Sequence, residues 1–244
     1  MQDTLAFFAK NGYAVVPQAL SVNEVQHINA AIDRHRSQYQ PLWLNRGENG
    51  RWQSVHGLLA CPEMDVTMRP PTLLPLMQAI LGDDICAEEH SVMVREPNPK
   101  GPTLCAWHRD TSHVGEPPYF TKYLSVVYYL THVNVHTHTF SVLPGASQSE
   151  VLQPLNAFDL NSAQHLEGTA GTAILFNAAL FHAGNVRQTA FERRTIHIYC
   201  GRSTDPYLSN HTIFPRRLWE GKDEATQRYY SRPNPLTKLL IEQF

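Results

Sequence analysis

From residue 85 onward the chain is written in short β-branched and aromatic runs, each closed by turn-forming residues, and this pattern limits its fold more than any other. Runs at 85–95, 123–130, 139–143 and 171–176 each predict a strand, with Pro97-Asn98-Pro99-Lys100-Gly101-Pro102 and Pro144-Gly145 as breakers between them. A further strand is predicted over 191–200. Side chains alternate along it, which puts Arg193, Thr195, His197 and Tyr199 on one face and Arg194, Ile196 and Ile198 on the other. Upstream the periodicity is helical. Asp3 is placed to cap a helix carrying Leu5, Phe7 and Phe8 and ending at Gly12, and a short strand over 13–16 follows. Ser21-Val22-Asn23-Glu24 has the form of a capping box ahead of Val25, Ile28 and Ile32, and another helix is predicted over 72–82. Between about 41 and 69 periodicity fails. That stretch holds Trp43, Arg46, Trp52, Gln53 and His56, and predicts an ordered loop that closes over a site as a lid. Helices first and strands later, with no strand-helix-strand alternation, imply a mainly β chain with flanking helices, built as an antiparallel sandwich or barrel.

The chemistry concentrates in Trp107-His108-Arg109-Asp110. In extended backbone His108 and Asp110 share a face, so an imidazole and a carboxylate project into one space. A second histidine from elsewhere would complete two His and one carboxylate on one side of an ion, the arrangement that binds non-haem Fe(II) with positions left open. Strand-side candidates are His113, His132, His136, His138, His165, His182 and His197. His182 stands out because it follows an apolar strand and precedes Gly184-Asn185, read as a turn at a barrel mouth. His136 and His138 also share a face, but no carboxylate accompanies them and they read as exposed hairpin residues. Eleven positions after His182, Arg193 offers a guanidinium able to grip a carboxylate at two points.

Together these segments resemble the phytanoyl-CoA dioxygenase family of Fe(II)- and 2-oxoglutarate-dependent oxygenases. The resemblance rests on FFAKNGYAVVPQALSVNEV, on Trp107-His108-x-Asp110, on Val142-Leu143-Pro144-Gly145-Ala146-Ser147, on 171–176, on His182-Ala183-Gly184-Asn185 and on Arg193-Arg194, in that order. It implies a double-stranded β-helix (jelly-roll, cupin-like) core, and iron held by His108, Asp110 and His182. It also implies 2-oxoglutarate with its C5 carboxylate on Arg193, with Thr195 beside it, and O2 as the oxidant. One domain over 1–244 is then expected: a mainly helical part and loop at 1–83, the jelly roll at 84–202 and an extension at 203–244. Relatives that halogenate replace the carboxylate by a small residue, so Asp110 favours oxygenation, most simply hydroxylation of a small organic metabolite with succinate and CO2 formed. A cupin-like isomerase, cyclase or hydrolase that dispenses with 2-oxoglutarate is the alternative, and a non-catalytic binding protein on the same scaffold is a third. Trp43, Arg46, Trp52, His56, Tyr128 and Arg216 are expected around the substrate.

Composition narrows the partners. A formal net charge of −2, with both signs interspersed, gives no basic stripe for nucleic acid. No apolar run approaches a membrane span, and acidic Asp3 stands where a signal peptide would carry positive charge, so a soluble, cytoplasmic protein is expected. Cys61, Cys86, Cys105 and Cys200 are too scattered for a disulfide framework or a zinc site.

Overall fold

The computed structural model describes residues 1–45, 50–209 and 211–243. In chain order its elements are α1 (Gln2–Asn11), β1 (Tyr13–Val16), α2 (Val22–Gln38), β2 (Leu44–Asn45), β3 (Arg51–Ser54), α3 (Gly57–Ala60), α4 (Leu74–Leu81) and β4 (Ile85–Arg95). There follow β5 (Leu104–Cys105), β6 (Leu124–Tyr129), β7 (Thr139–Val142), β8 (Gln164–Leu166), β9 (Ala173–Asn177), β10 (His182–Val186), β11 (Arg193–Arg202), α5 (Glu224–Tyr229) and α6 (Pro235–Gln243).

The helices begin and end for identifiable reasons. Ser21 Oγ accepts from Glu24 N at 3.2 Å while Glu24 Oε2 accepts from Ser21 N at 2.7 Å, the reciprocal capping box that the sequence predicts. Such a cap contributes about 1 kcal/mol. Gly12 ends α1 at φ 77°, a left-handed conformation that glycine adopts without strain. Asp3 is not the cap of α1: Met1 holds that position, and Asp3 lies in the first turn, where a carboxylate still complements the helix dipole.

Two antiparallel sheets form the body. The larger runs β1-β9-β6-β11-β4-β3-β2 and the smaller β5-β10-β7-β8. Alternation sorts their side chains into two cores. Val126, Tyr128, Ala173, Leu175, Ile196 and Ile198 pack with Phe8, Ile28, Ile32 and Met77 on the helical side. Val127, Tyr129, Ile174 and Phe176 face Phe140, Val142 and Leu166 of the smaller sheet. This is the expected double-stranded β-helix with flanking helices.

Three local expectations are corrected. Among the described residues of 41–69 the chain is not aperiodic: β2 pairs antiparallel with β3, and β3 pairs with β4 so that Arg51 lies opposite Arg95 and Gln53 opposite Met93. The four-residue β3 is too short to show a period, and its conformation is set by a partner strand some 40 positions later. Gly184-Asn185 is not a turn, because both residues belong to β10 and pair with Phe140 and Thr139. His138 is not exposed: it is fully buried, with Nε2 3.0 Å from Glu96 O and Nδ1 accepting from Arg187 N at 3.1 Å, and burial pushes it down to about 4. His136 is exposed as expected.

The segment after β11 returns across β4. Thr212 Oγ1 accepts from His90 N at 2.8 Å and donates to His90 O at 3.0 Å. Buried Glu88 accepts from Leu208 N at 3.0 Å and from Arg232 Nη1 at 2.8 Å. Burial outweighs these partners and raises the Glu88 carboxyl to about 7. The folded chain therefore holds a proton that the unfolded chain releases near 4.5, and stability falls as pH rises from about 4.5 through 7. Glu88→Gln should flatten this decline in urea midpoints measured across that window; an unchanged slope would show that Glu88 titrates normally.

Candidate metal centre and binding cavity

The polar face of β11 looks into the space between the sheets. Opposite it, β10 is joined to the segment carrying His108 by a two-residue antiparallel bridge: His108 N donates to His182 O at 3.0 Å and His182 N donates to His108 O at 2.9 Å. Asp110 N donates to Ala178 O at 3.0 Å. Between the two, Arg109 points the other way. Its guanidinium donates to the carbonyls of Ala179, Ala146 and Gln153 and stacks 3.5 Å from the Phe181 ring centroid, pinning the segment from behind.

His108, Asp110 and His182 thereby converge, with one ligand atom from each lying within 4.8 Å of the others. His108 Nε2 is 3.6 Å from Asp110 Oδ1, and His182 Nε2 is 3.4 Å from Asp110 Oδ2. Each imidazole sets its Nδ1 3.0 Å from the carbonyl two residues earlier, Ala106 for His108 and Leu180 for His182. A proton on Nδ1 satisfies that contact and leaves the Nε2 lone pair free, the tautomer that a metal ligand requires. Tyr199 donates its hydroxyl to Asp110 Oδ2 at 2.8 Å. Burial pushes the Asp110 carboxyl up, but the pull of His182, hydrogen bonds from His182 and Tyr199, and the His108 charge outweigh it and hold the group below its ordinary range. His182 is buried between Phe176 and Phe140, with ring centroids 4.7 and 5.4 Å away, whereas His108 stands at the open rim.

These three residues border a cavity of about 290 Å³. Its floor is Arg193, 6% exposed, whose Nε and Nη1 are buried with no hydrogen-bond partner among the described residues. Gly184, two positions beyond His182 on β10, leaves room above it: a Cβ there would stand 3.7 Å from Arg193 Nη2 and 3.6 Å from Arg95 Nη2. His197 lies between floor and rim. Burial first, and then the Arg193 charge, push it down to about 3, so its imidazole is neutral at physiological pH. Its Nε2 is 3.2 Å from the buried Thr195 hydroxyl. Arg194, the neighbour on the opposite face, pairs with Asp33 and Glu192 on the α2 side. The donor set suits a divalent ion, and a guanidinium with two buried donors unpaired among the described residues suits a carboxylate.

Of the residues expected around the substrate, Trp43, Trp52, His56, Tyr128 and Arg216 do not border this cavity. Trp43 is buried and donates from Nε1 to His35 at 2.9 Å, and Trp52 points to the same side pocket and donates to Glu96 at 3.0 Å. His56 borders a small groove beside Pro41 and Leu44. Tyr128 is buried in the helical-side core with its hydroxyl on Thr67 O, and exposed Arg216 donates to Ile241 O. Arg46 lies outside the described residues. The cavity wall is built instead from Arg51, Gln53, Glu89, Met93, Arg95 and Tyr199. Alternation along 85–95 and 191–200 carried the signal for most of them.

Fold and site define a class: an imidazole-carboxylate-imidazole triad at the mouth of a double-stranded β-helix. The sequence profile described as phytanoyl-CoA dioxygenase matches residues 8–195, and the chain belongs to that family. It is similar to "Dioxygenase af480" of Aspergillus fumigatus, 26% identical over 211 residues that cover 80% of this chain, and it spans 65% of that relative's length. Among solved structures it resembles the non-heme alpha ketoglutarate dependent epimerase SnoN from nogalamycin biosynthesis, with TM-score 0.69, 16% identity and 86% of each chain covered. It also resembles HygX from Streptomyces hygroscopicus, solved with nickel, 2-oxoglutarate and hygromycin B, with TM-score 0.68, 14% identity, and 85% of this chain and 89% of that one covered. The carbocyclase SnoK shares the fold at TM-score 0.67 and 17% identity, covering 83% of this chain and 84% of that one. No helix among the described residues is long and apolar enough to cross a membrane.

The Tyr199 hydroxyl, bonded to Asp110 Oδ2, holds the carboxylate with one oxygen toward each histidine. Tyr199→Phe should weaken Fe(II) binding by roughly 10- to 100-fold in anaerobic calorimetric titrations, as loss of a hydrogen bond behind a metal ligand does; affinity equal to that of the unaltered chain would remove Tyr199 from the site.

Proposed function

We propose that this chain is a non-haem Fe(II)- and 2-oxoglutarate-dependent oxygenase acting on a small organic metabolite, with His108, Asp110 and His182 as metal ligands and Arg193 as the anchor for the C5 carboxylate. One observation carries the reading: two Nε2 atoms and one carboxylate oxygen converge at the cavity rim, while the buried Arg193 guanidinium of β11, with unused donors, faces Gly184, two residues beyond His182 on β10. The domain works as a single unit in this reading, because 1–83 supplies strands to the same sheet as 84–202 and Leu208 from 203–244 reaches the cavity.

When bound, iron supplies the activation of O2 that couples oxidative decarboxylation of 2-oxoglutarate, to succinate and CO2, to oxidation of the substrate. The protein's part is positioning. Backbone carbonyls of Ala106 and Leu180 hold the two imidazoles in the ligand tautomer, and Tyr199 holds the carboxylate. His108, Asp110 and His182 would hold the ion at the rim of the cavity that Arg193 floors. Arg193 accepts the far carboxylate as a planar two-point pair, with Thr195 and neutral His197 completing a polar floor without adding charge. Phe140, Met93 and Leu208 supply the apolar part of a lining that is otherwise mostly polar.

Hydroxylation is the simplest outcome for the substrate. The second reading is epimerisation or ring closure, favoured by the names of two proteins that share the fold. Incorporation of labelled oxygen into product separates the readings, since only hydroxylation adds an oxygen atom.

The test without a known substrate is slow uncoupled succinate formation under air with Fe(II) and 2-oxoglutarate. His182→Ala and Asp110→Ala should abolish it, while Arg193→Gln should raise the half-saturating 2-oxoglutarate concentration by roughly 30-fold or more, as loss of one partner of a buried charge pair does. Succinate formation that persists unchanged in all three variants would refute the assignment.

A further inference from the structure

Resting on the oxygenase reading for the places of the metal and 2-oxoglutarate, we propose that Gln53 recognises an amide group of the substrate and that an apolar extension of the substrate leaves the cavity over Leu44. The geometry is a row across four strands. Thr195 of β11 lies opposite Met93 of β4, Met93 opposite Gln53 of β3, and Gln53 opposite Leu44 of β2. Directly opposed residues point to the same face of a sheet. This face looks into the space between the sheets, since Met93 and Gln53 both border the metal cavity. With strands about 4.8 Å apart, the row runs roughly 14 Å outward from the cavity floor. It ends at the edge of the larger sheet, where β2 is the outermost strand.

Size sends the substrate outward. The cavity, about 290 Å³, falls just under the roughly 300–1,000 Å³ typical of a site for one small ligand, and 2-oxoglutarate takes the part between the triad and Arg193. A substrate that reaches the metal therefore extends beyond the cavity, and Gln53 marks the way. Its side chain borders both the cavity and an adjoining groove of about 90 Å³ formed with Pro41, Leu42, Leu44, Val55 and His56. Gln53 is half-buried, and its amide forms no hydrogen bond with any described residue. It offers a donor and an acceptor side by side, and an amide of the ligand meets both at once. Beyond Gln53 the surface turns apolar: Leu42 and Leu44 are 39% and 50% exposed at the same groove. Burial first, and then the His211 charge, push the His56 imidazole down, so it is neutral at physiological pH. An uncharged aliphatic extension matches this lining.

The test titrates uncharged probes calorimetrically into the anaerobic Fe(II)–2-oxoglutarate complex: N-hexylacetamide, its ester counterpart hexyl acetate, and short-chain N-ethylacetamide. N-hexylacetamide should bind about fivefold or more tightly than hexyl acetate, which lacks the N–H, and about tenfold or more tightly than N-ethylacetamide, which lacks the chain. Two variants separate the contributions. Gln53→Leu should remove the amide preference and keep the chain-length preference, Leu44→Ser should do the reverse, and both should bind 2-oxoglutarate within about twofold of the unaltered chain. Equal binding of amide and ester, no gain from the longer chain, no binding by N-hexylacetamide, or preferences that survive both substitutions would overturn the proposal. So would a Gln53→Leu variant that loses 2-oxoglutarate as severely as Arg193→Gln does, because Gln53 would then serve the co-substrate. Failure of the unaltered chain to bind 2-oxoglutarate would refute the oxygenase reading alone: the probes can still be titrated into the Fe(II) form, where the same two preferences and their separate loss decide the roles of Gln53 and Leu44.

Discussion

Two backbone hydrogen bonds, exchanged between His108 and His182, hold the site together. The segment carrying His108 and Asp110 has little regular structure of its own, and this bridge attaches it to the start of β10. Once His108 and His182 are opposite each other, their rings lie 4.3 Å apart, and the period of two places Asp110 on the same side as His108. Arg109 then serves the scaffold because the same alternation turns it outward, onto three carbonyls and an aromatic ring. A chain of four residues thus contributes ligands on one face and an anchor on the other.

The larger sheet applies the same rule at greater scale. The face of β11 that packs on the helices is apolar, through Ile196, Ile198 and Cys200, and can be buried without hydrogen-bond partners. The other face buries Arg193, Thr195 and His197 in the space between the sheets, at a desolvation cost that a purely structural core would avoid. Such groups are tolerated where a ligand completes their hydrogen bonding. The shifts of His197 to about 3 and Arg95 to about 9 record how far from water these groups stand. The arrangement separates roles along the cavity: two imidazoles and a carboxylate at the rim, and fixed positive charge at the floor.

Much of this was legible in the sequence, because it rests on short-range rules. The capping box at Ser21, the strands at β4, β6 and β11, and the His-x-Asp pair follow from spacings of two to four residues. His182 stood out through its neighbours, although as the first residue of a strand and not the last before a turn. What was hidden depends on register between distant strands. The opposition of Arg51, Arg95 and Arg193 joins positions up to 142 apart in sequence, and no local pattern reports it. Trp43 and Tyr128 lie in the helical-side core and Trp52 packs against it: a large aromatic ring is conspicuous in a sequence, yet its burial makes it a packing residue first. On β3 the pairing with β4 turns Arg51 and Gln53 toward the cavity and Trp52 away from it.

The central claim is that one ion and one 2-oxoglutarate share the space between the His108–Asp110–His182 triad and Arg193. The most direct measurement is the visible absorption spectrum of the protein mixed anaerobically with Fe(II) and 2-oxoglutarate. A weak metal-to-ligand charge-transfer band that saturates at one equivalent of each, and that His108→Ala abolishes, is the predicted result. Folded protein that binds Fe(II) but develops no such band at saturating 2-oxoglutarate would contradict the account.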